Sequence, residues 1–307
     1  MIERRGAERG LAVVVGAGGM GMAVARRLGQ RHRLLLADKD EEVLLARTAQ
    51  LEYEGHDVVS CVCDVTRTET VAGLAEVTQV QGPLAVLAHV VGLSPSMGTF
   101  GEIVAVDLVG AILVEQALRP LATAGTAALF VSSIAGHGEV DPRLLRLAEE
   151  TPIPGVVGAL ARQLAAAATS EFGYVLAKAG VVRLCQRRAA DWGQRGARIV
   201  SISPGLISTP MGALESERQP LKRGLLAGTP LRREGTVLEI ADVVEFLTSD
   251  RASFISGIDI VIDGGLLAAQ RFPLAASLVP RNRSDEVKPI DWSEGRMVGG
   301  GTFPWTS

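Results

Sequence analysis

Apolar runs of four to six residues recur along the chain, separated by longer stretches in which apolar and polar positions mix at helical spacing. The runs at 11–15 (LAVVV), 33–37 (RLLLA), 57–62 (DVVSCV), 83–88 (PLAVLA), 127–131 (AALFV), 197–202 (ARIVSI) and 259–262 (DIVI) predict seven β-strands. The intervening patterns predict helices over 21–30, 40–54, 67–80, 101–120, 172–193 and 239–249. The strand runs are continuously apolar rather than alternating, which requires cover on both sheet faces. Strand–helix alternation in turn implies parallel strands joined by right-handed crossovers. The expected fold class is α/β, a doubly wound seven-stranded parallel sheet with helices on both faces, built from residues 1–265 as one domain.

Two segments break the alternation. Residues 138–171 are punctuated by Pro142, Pro152 and Pro154 into two short expected helices, at DPRLLRLAEE and GVVGALARQLAAAA. Residues 266–307 form a C-terminal extension that holds Phe272, Trp292, Phe303 and Trp305, four of the chain's twelve aromatic residues. Disordered segments are poor in such side chains, so the extension is expected to dock on its own or a neighbouring subunit.

Charge narrows the classes of function. The formal net charge is −3 with no basic cluster, which argues against nucleic acid and an anionic membrane surface as partners. No apolar run approaches the ~18 residues of a spanning helix, and the N-terminus MIERRGAERG lacks a signal-peptide pattern. Cys61 and Cys63 share a strand face too closely for a usual bridge, and Cys185 stands apart. A reducing cytoplasm and no metal site are therefore expected.

The chemistry begins at VVVGAGGMGMAVA. Gly16, Gly18 and Gly21 have GxGxxG spacing, with Gly19 and Met20 between, after a strand and at the start of a helix. Such a loop permits a tight turn and a close approach of backbone to a pyrophosphate, with the helix N-terminus facing the anion. This makes the expected fold Rossmann-like. Asp38 ends the second strand 17 positions after Gly21 (38 − 21). A carboxylate there accepts hydrogen bonds from ribose hydroxyls and repels a 2′-phosphate, so NAD is expected over NADP, although Lys39 adjoins it. Asp38 also reads as an N-cap for the next helix, a role that Asp40 could fill instead.

Tyr174 and Lys178 lie four apart in GYVLAKAG, on one face of a predicted helix. A cation beside a phenol favours negative charge on its oxygen, which equips Tyr174 to exchange a proton with a substrate oxygen.

Taken together, the glycine loop, CDVT (63–66), HVVG (89–92), VSSIAG (131–136), Tyr174-x-x-x-Lys178, SPGLISTPM (203–211) and IDGG (262–265) resemble the short-chain dehydrogenase/reductase family, over about Leu11 to Gly265. The resemblance implies a hydride-transfer enzyme with Ser133, Tyr174 and Lys178 as catalytic residues; Ser133, rather than Ser132, directly precedes x-x-G. It implies that Asp64 bonds the adenine amino group with Val65 beside the ring, and that Gly92 lets the chain pass the ribose. Pro204, Gly205, Ile207 and Thr209 would hold the carboxamide, Tyr174 and Lys178 would also touch the cofactor, and Asp263 would stay structural.

Three departures stand out. The glycine loop is one residue shorter than the family's usual form. His89 and Val90 replace an asparagine pair, with His89 expected as a hydrogen-bonded structural residue. Asp107, in VDLVG, stands where the family has a catalytic asparagine, so it joins the catalytic candidates and is a potential partner of Lys178.

The interval of 41 positions from Ser133 to Tyr174 (174 − 133) is long. It resembles the bacterial 3α-hydroxysteroid dehydrogenase/carbonyl reductase subgroup, in which such an insertion changes subunit pairing, and implies a homodimer or homotetramer. Leu93, Met97, Leu206 and Met211, with a lid-like stretch at 211–230, favour a hydrophobic alcohol or ketone substrate, steroid-like or otherwise. The alternatives are a nucleotide-binding scaffold or regulatory protein with little turnover and, less well matched, an epimerase or dehydratase of the same family.

Overall fold

The computed structural model describes residues 9–208 and 220–272, together with the backbone of three two-residue strands at Ile290–Asp291, Arg296–Met297 and Gly301–Thr302. Seven parallel strands form the central sheet: β1 (Leu11–Val15), β2 (Arg33–Asp38), β3 (Val58–Val62), β4 (Leu84–His89), β5 (Ala122–Val131), β6 (Arg198–Pro204) and β9 (Asp259–Ile262). Their order is β3-β2-β1-β4-β5-β6-β9. The chain winds outward in one direction from β1 and in the other from β4, so the crevice between β1 and β4 is the topological switch point. A short parallel pair, β7 (Ile207–Ser208) with β8 (Gly235–Thr236), lies beyond the end of β6.

The strands are apolar throughout because successive residues enter two different cores. Leu11, Val13 and Val15 join one cluster, while Ala12 and Val14 join the other. The first core takes side chains from α3 (Thr68–Gln81), α5 (Gly110–Leu118) and α8 (Ser170–Gly193). The second takes them from α1 (Gly19–Leu28), α2 (Glu41–Tyr53) and α10 (Val237–Thr248). Polar residues cap α2 and α8: Asp40 accepts Val43 N–H at 3.0 Å, and Thr169 accepts Phe172 N–H at 3.2 Å. The sheet and its helical layers are those expected from the hydrophobic pattern.

Two boundaries differ from that pattern. The strand predicted at 127–131 starts at Ala122, with an irregular register against β4 between Leu84 and Val86. The segment TAGT (123–126) lacks an apolar run and has no register partner on β4; it bulges between the paired Ala122 and Ala127, tied back by the Thr126 hydroxyl, which donates to the Leu84 carbonyl at 2.7 Å. The helix predicted over 101–120 consists of α4 (Phe100–Ile103), a π turn at Val104–Val109, and α5. A π turn inserts one residue into the helical repeat, and Asp107 lies within it.

Within 138–171, α6 (Pro142–Glu150) and α7 (Val156–Leu164) occupy the two expected positions. They bury Leu144, Ala148, Val156 and Leu160 in the first core, and Arg183 of α8 bonds both carboxylate oxygens of Glu149. Helix α9 (Pro220–Gly228) falls within the stretch expected as a lid. Thr209 and Met211 lie outside the described residues, as do Trp292, Phe303 and Trp305. Phe272, just after α11 (Leu266–Arg271), is 80% exposed. No helix among the described residues is long and apolar enough to cross a membrane.

Candidate active site

The switch-point crevice is built from loops that leave little room for side chains. At Gly16, φ is +108°, a left-handed value that glycine tolerates, and an added Cβ would lie 3.2 Å from Val90 and Val91. A Cβ on Gly21 would lie 1.8 Å from the carbonyl oxygen of Gly16, a backbone collision that could not be relieved by a rotamer change. Gly18 faces open space and starts α1 without a side-chain cap. The first N–H groups of α1, around Gly19 and Met20, are thus available to an external anion. Asp38 Oδ2 accepts the Ala17 N–H at 2.7 Å and Oδ1 accepts Asp40 N–H at 3.2 Å. Each oxygen retains further acceptor capacity, so loop and carboxylate together fit an adenosine diphosphate group.

The other adenine-side candidates are placed along the same edge. Asp64 Oδ1 accepts both N–H and O–H from Thr66, at 2.9 and 2.7 Å. Val65 is 4% exposed and packs on Gly110, where a Cβ would lie 2.6 Å from its side chain. The π turn is therefore held directly against the β3–α3 loop. At the far end of the crevice, Pro204 closes β6, Gly205 passes within 2.7 Å (for a Cβ) of Asp263, and Ile207 lies on β7. Asp263 accepts the N–H groups of Gly265 and Leu267, at 2.8 and 2.7 Å, and so anchors the turn into α11.

The centre of the site joins three elements. Lys178, on α8, is 4% exposed, and its Nζ lies 2.9 Å from Asp107 Oδ2. The second Asp107 oxygen accepts the Leu93 N–H at 2.7 Å. Lys178 Nζ also donates to the Val131 carbonyl at 3.4 Å and lies 5.6 Å from the centre of the Tyr174 ring. Burial pulls the Lys178 pKa down; the Asp107 carboxylate, followed by Tyr174 and the contact with Asp107, outweighs it and leaves the pKa raised. Gly92 makes the cluster possible, since a Cβ there would stand 2.9 Å from Lys178 Nζ and 3.2 Å from Asp107 Oδ2.

The two serines differ. Ser132 is buried and donates to the Lys178 carbonyl at 2.8 Å, which ties the end of β5 to α8. Ser133 is half-buried, and its Oγ accepts Ala135 N–H at 3.2 Å, so its hydroxyl hydrogen is not used by that bond. His89, expected as a hydrogen-bonded structural residue, is buried and stacked on Phe130, while its Nε2 has no partner among the described residues. Leu93 and Leu206 are half-buried, and Met97 is 47% exposed.

Sequence reasoning passed over His137. Its Nε2 pairs with Asp259 Oδ2 at 2.9 Å, and Asp259 Oδ1 accepts the Ser201 hydroxyl at 2.6 Å. That link fastens the turn after Ser133 to β6 and β9; its members are 122 and 58 positions apart in sequence, beyond the reach of any local pattern.

Comparison with known proteins agrees with this geometry. The short chain dehydrogenase profile matches residues 10–142, and the Enoyl-(Acyl carrier protein) reductase profile matches 156–267. The chain is 34% identical over 262 residues to short-chain dehydrogenase/reductase bsc3 of Alternaria brassicicola, covering 83% of this chain and 95% of that one. The chain belongs to the short-chain dehydrogenase/reductase family. Another relative is the 3-alpha-hydroxysteroid dehydrogenase/carbonyl reductase of Comamonas testosteroni, 31% identical over 72% of this chain and 91% of its own length. The crystal structure of gox2181 superposes with a TM-score of 0.69 at 26% identity, covering 85% of this chain and 97% of that one. As a member of this dehydrogenase/reductase family, the chain is an oxidoreductase that works with a nicotinamide cofactor.

Proposed function

We propose that this short-chain dehydrogenase/reductase interconverts a secondary alcohol and a ketone on a hydrophobic substrate and prefers NAD(H). The observation that carries the proposal is the buried Lys178–Asp107 pair beside the Tyr174 ring, at the end of the crevice opened by the glycine loop. A nicotinamide bound in that crevice supplies hydride to the carbonyl carbon or takes it from the carbinol carbon. In the oxidative direction Tyr174 oxygen receives the proton of the substrate hydroxyl, and in reduction it returns one. Lys178 favours the negative charge that Tyr174 must carry between these events, and Asp107 holds the ammonium in place. The free hydroxyl hydrogen of Ser133 is suited to bonding the same substrate oxygen.

Asp38 supports the choice of NAD. Its carboxylate is held at the mouth of the glycine loop by Ala17 N–H, where a 2′-phosphate would meet like charge. Half-buried Leu93 and Leu206 support an apolar substrate, with a steroid-like skeleton as one member of that class. Helix α6 lies against α8 and α7 packs on α6, which supports subunit pairing in a homodimer or homotetramer through a face other than bare α8 helices.

The test is reduction of NAD and NADP with a panel of secondary alcohols that includes steroids, alongside direct titration with NADH. Turnover that disappears in Tyr174→Phe sustains the proposal. A second reading, a nucleotide-binding scaffold with little turnover, draws on Asp107, whose charge competes with ribose hydroxyls for Lys178. Tight NADH binding without turnover on any panel member would favour it.

A further inference from the structure

Ser133 stands at the entry of a turn that is fastened at both ends. It caps the 3-10 turn Ile134–His137, accepting the Ala135 N–H at its Oγ (3.2 Å) and the Gly136 N–H at its carbonyl (2.9 Å). The near end is fixed at the end of β5. There the Ser132 N–H donates to the Ile202 carbonyl of β6 at 2.8 Å, and the Ser132 hydroxyl donates to the Lys178 carbonyl at 2.8 Å. The middle of the turn lies on α8, where a Cβ on Gly136 would stand 2.8 Å from the Lys178 carbonyl carbon. Beyond the turn, residues 138–141 belong to no helix or strand. The far end therefore depends on what His137 meets.

His137 meets the edge of the sheet. Asp259 is the first residue of the edge strand β9, and its side chain is 5% exposed. Its Oδ2 lies 2.9 Å from His137 Nε2, and its Oδ1 accepts the Ser201 hydroxyl at 2.6 Å. A carboxylate only accepts, so Nε2 carries the hydrogen of this bond. Ser201 pairs in register with Asp259 and immediately precedes Ile202 on β6. The bonds thus close a ring. It runs from Ser132 to Ile202, through Ser201 to Asp259, across to His137, and back along the chain to Ser133. Hydrogen bonds to a buried carboxylate are short and directional, so this one fixes the orientation of the turn as well as its proximity to the sheet.

We propose that His137 is a positioning residue of the reaction centre: by closing this ring through Asp259 it sets the aim of the Ser133 hydroxyl at the substrate oxygen. In this role it touches neither substrate nor cofactor. The aim matters because misplacing a reacting group by an ångström costs up to about 10²-fold in rate. The inference rests on the dehydrogenase reading for the partner of Ser133, while the link itself is tested apart from turnover. Glutamine is the informative replacement, since its terminal amide offers an N–H close to the position of Nε2; leucine has a similar size and no donor.

With an alcohol or ketone that the parent turns over, His137→Leu is expected to lower kcat about tenfold with NADH affinity unchanged, and His137→Gln to recover kcat to within about threefold of the parent. In a Ser133→Ala background the leucine substitution is expected to cost less than about twofold, because the residue it acts through is gone. A tenfold loss in both backgrounds, equal activity of the Leu and Gln variants, or a parallel loss of NADH binding overturns the proposal. If Ser133→Ala is too slow to assay, the contrast between Leu and Gln decides; if His137→Leu does not fold, His137→Phe takes its place. Hydrogen exchange at the Ala135 and Gly136 N–H groups, both bonded to Ser133, is expected to quicken in the Leu variant and to keep the parent rate in the Gln variant. Unchanged exchange in the Leu variant overturns the link whether or not a substrate is found. Full turnover in Tyr174→Phe would defeat the dehydrogenase reading and leave the exchange result standing, so the two failures are distinct.

Discussion

Asp107 and Lys178 pair at 2.9 Å with side chains 0% and 5% exposed, although 71 positions (178 − 107) separate them in sequence. Two structural devices bring them together. The π turn at Val104–Val109 carries Asp107, and α8 carries Lys178. The pair is costly to break one-sidedly, because removing one partner of a buried pair leaves an unpaired charge worth about 3–5 kcal/mol. Lys178→Ala is therefore expected to lower both stability and cofactor affinity, measured by denaturant unfolding and NADH titration.

The same pair sets a dependence on alkaline pH. The folded Lys178 pKa is raised above its ordinary value of 10.5. A raised folded pKa stabilises the fold fully below the unfolded pKa and loses that contribution as pH climbs through the folded value. The difference in melting temperature between the parent and Asp107→Asn is expected to be constant up to about pH 10 and to shrink above it. A difference that grows with pH in this range would contradict the pairing. Asparagine at 107 retains an acceptor for Leu93 N–H, so folding is expected to survive.

Tyr174→Phe removes only the phenol oxygen. Loss of a general acid–base group typically costs about 10²–10⁴ in rate, while NADH binding is expected to stay nearly intact. Retained turnover would reject Tyr174 as the proton carrier.

Asp38→Ala removes the carboxylate at the glycine loop and the acceptor of Ala17 N–H. The expected result is a lower kcat/KM with NAD together with a relaxed discrimination against NADP, read from the ratio of the two. An unchanged ratio would dismiss the ribose role.

Glu115, on α5, offers a stability test away from the crevice. It is buried, accepts the Trp192 indole N–H at 3.0 Å, and has Arg119 and Arg188 at 3.3 and 3.5 Å. Burial pushes its pKa up despite these partners. Its folded pKa being raised, its contribution is full below the ordinary carboxyl range and declines as pH rises through the folded value. Glu115→Gln keeps an acceptor for Trp192 and is expected to cost less than Glu115→Ala at pH 7, and the parent is expected to lose stability relative to Gln as the pH rises above the ordinary carboxyl range of about 4. Thermal melts followed by tryptophan fluorescence provide the measurement.

The hydrophobic pattern and a few motifs sufficed for the sheet, the helical layers, the glycine loop and the family, because each is encoded locally. A continuous apolar run means a strand covered on both faces; GxGxxG between strand and helix means a turn with no room for side chains; a tyrosine and lysine four apart share one helix face. Even the helices of the 138–171 insertion were legible, bounded as they are by prolines. The tertiary structure decided what depends on distant neighbours. An ordinary helical pattern at 101–120 gives no sign of the π turn, which arises as Gly110 packs on Val65 and Asp107 meets Lys178. The bulge at TAGT in β5 is tied back by Thr126 to the Leu84 carbonyl, 42 positions away. The His137–Asp259–Ser201 link and the unsatisfied Nε2 of His89 likewise exist only once remote segments meet, because hydrogen-bond partnership and burial are properties of three-dimensional surroundings rather than of residue order.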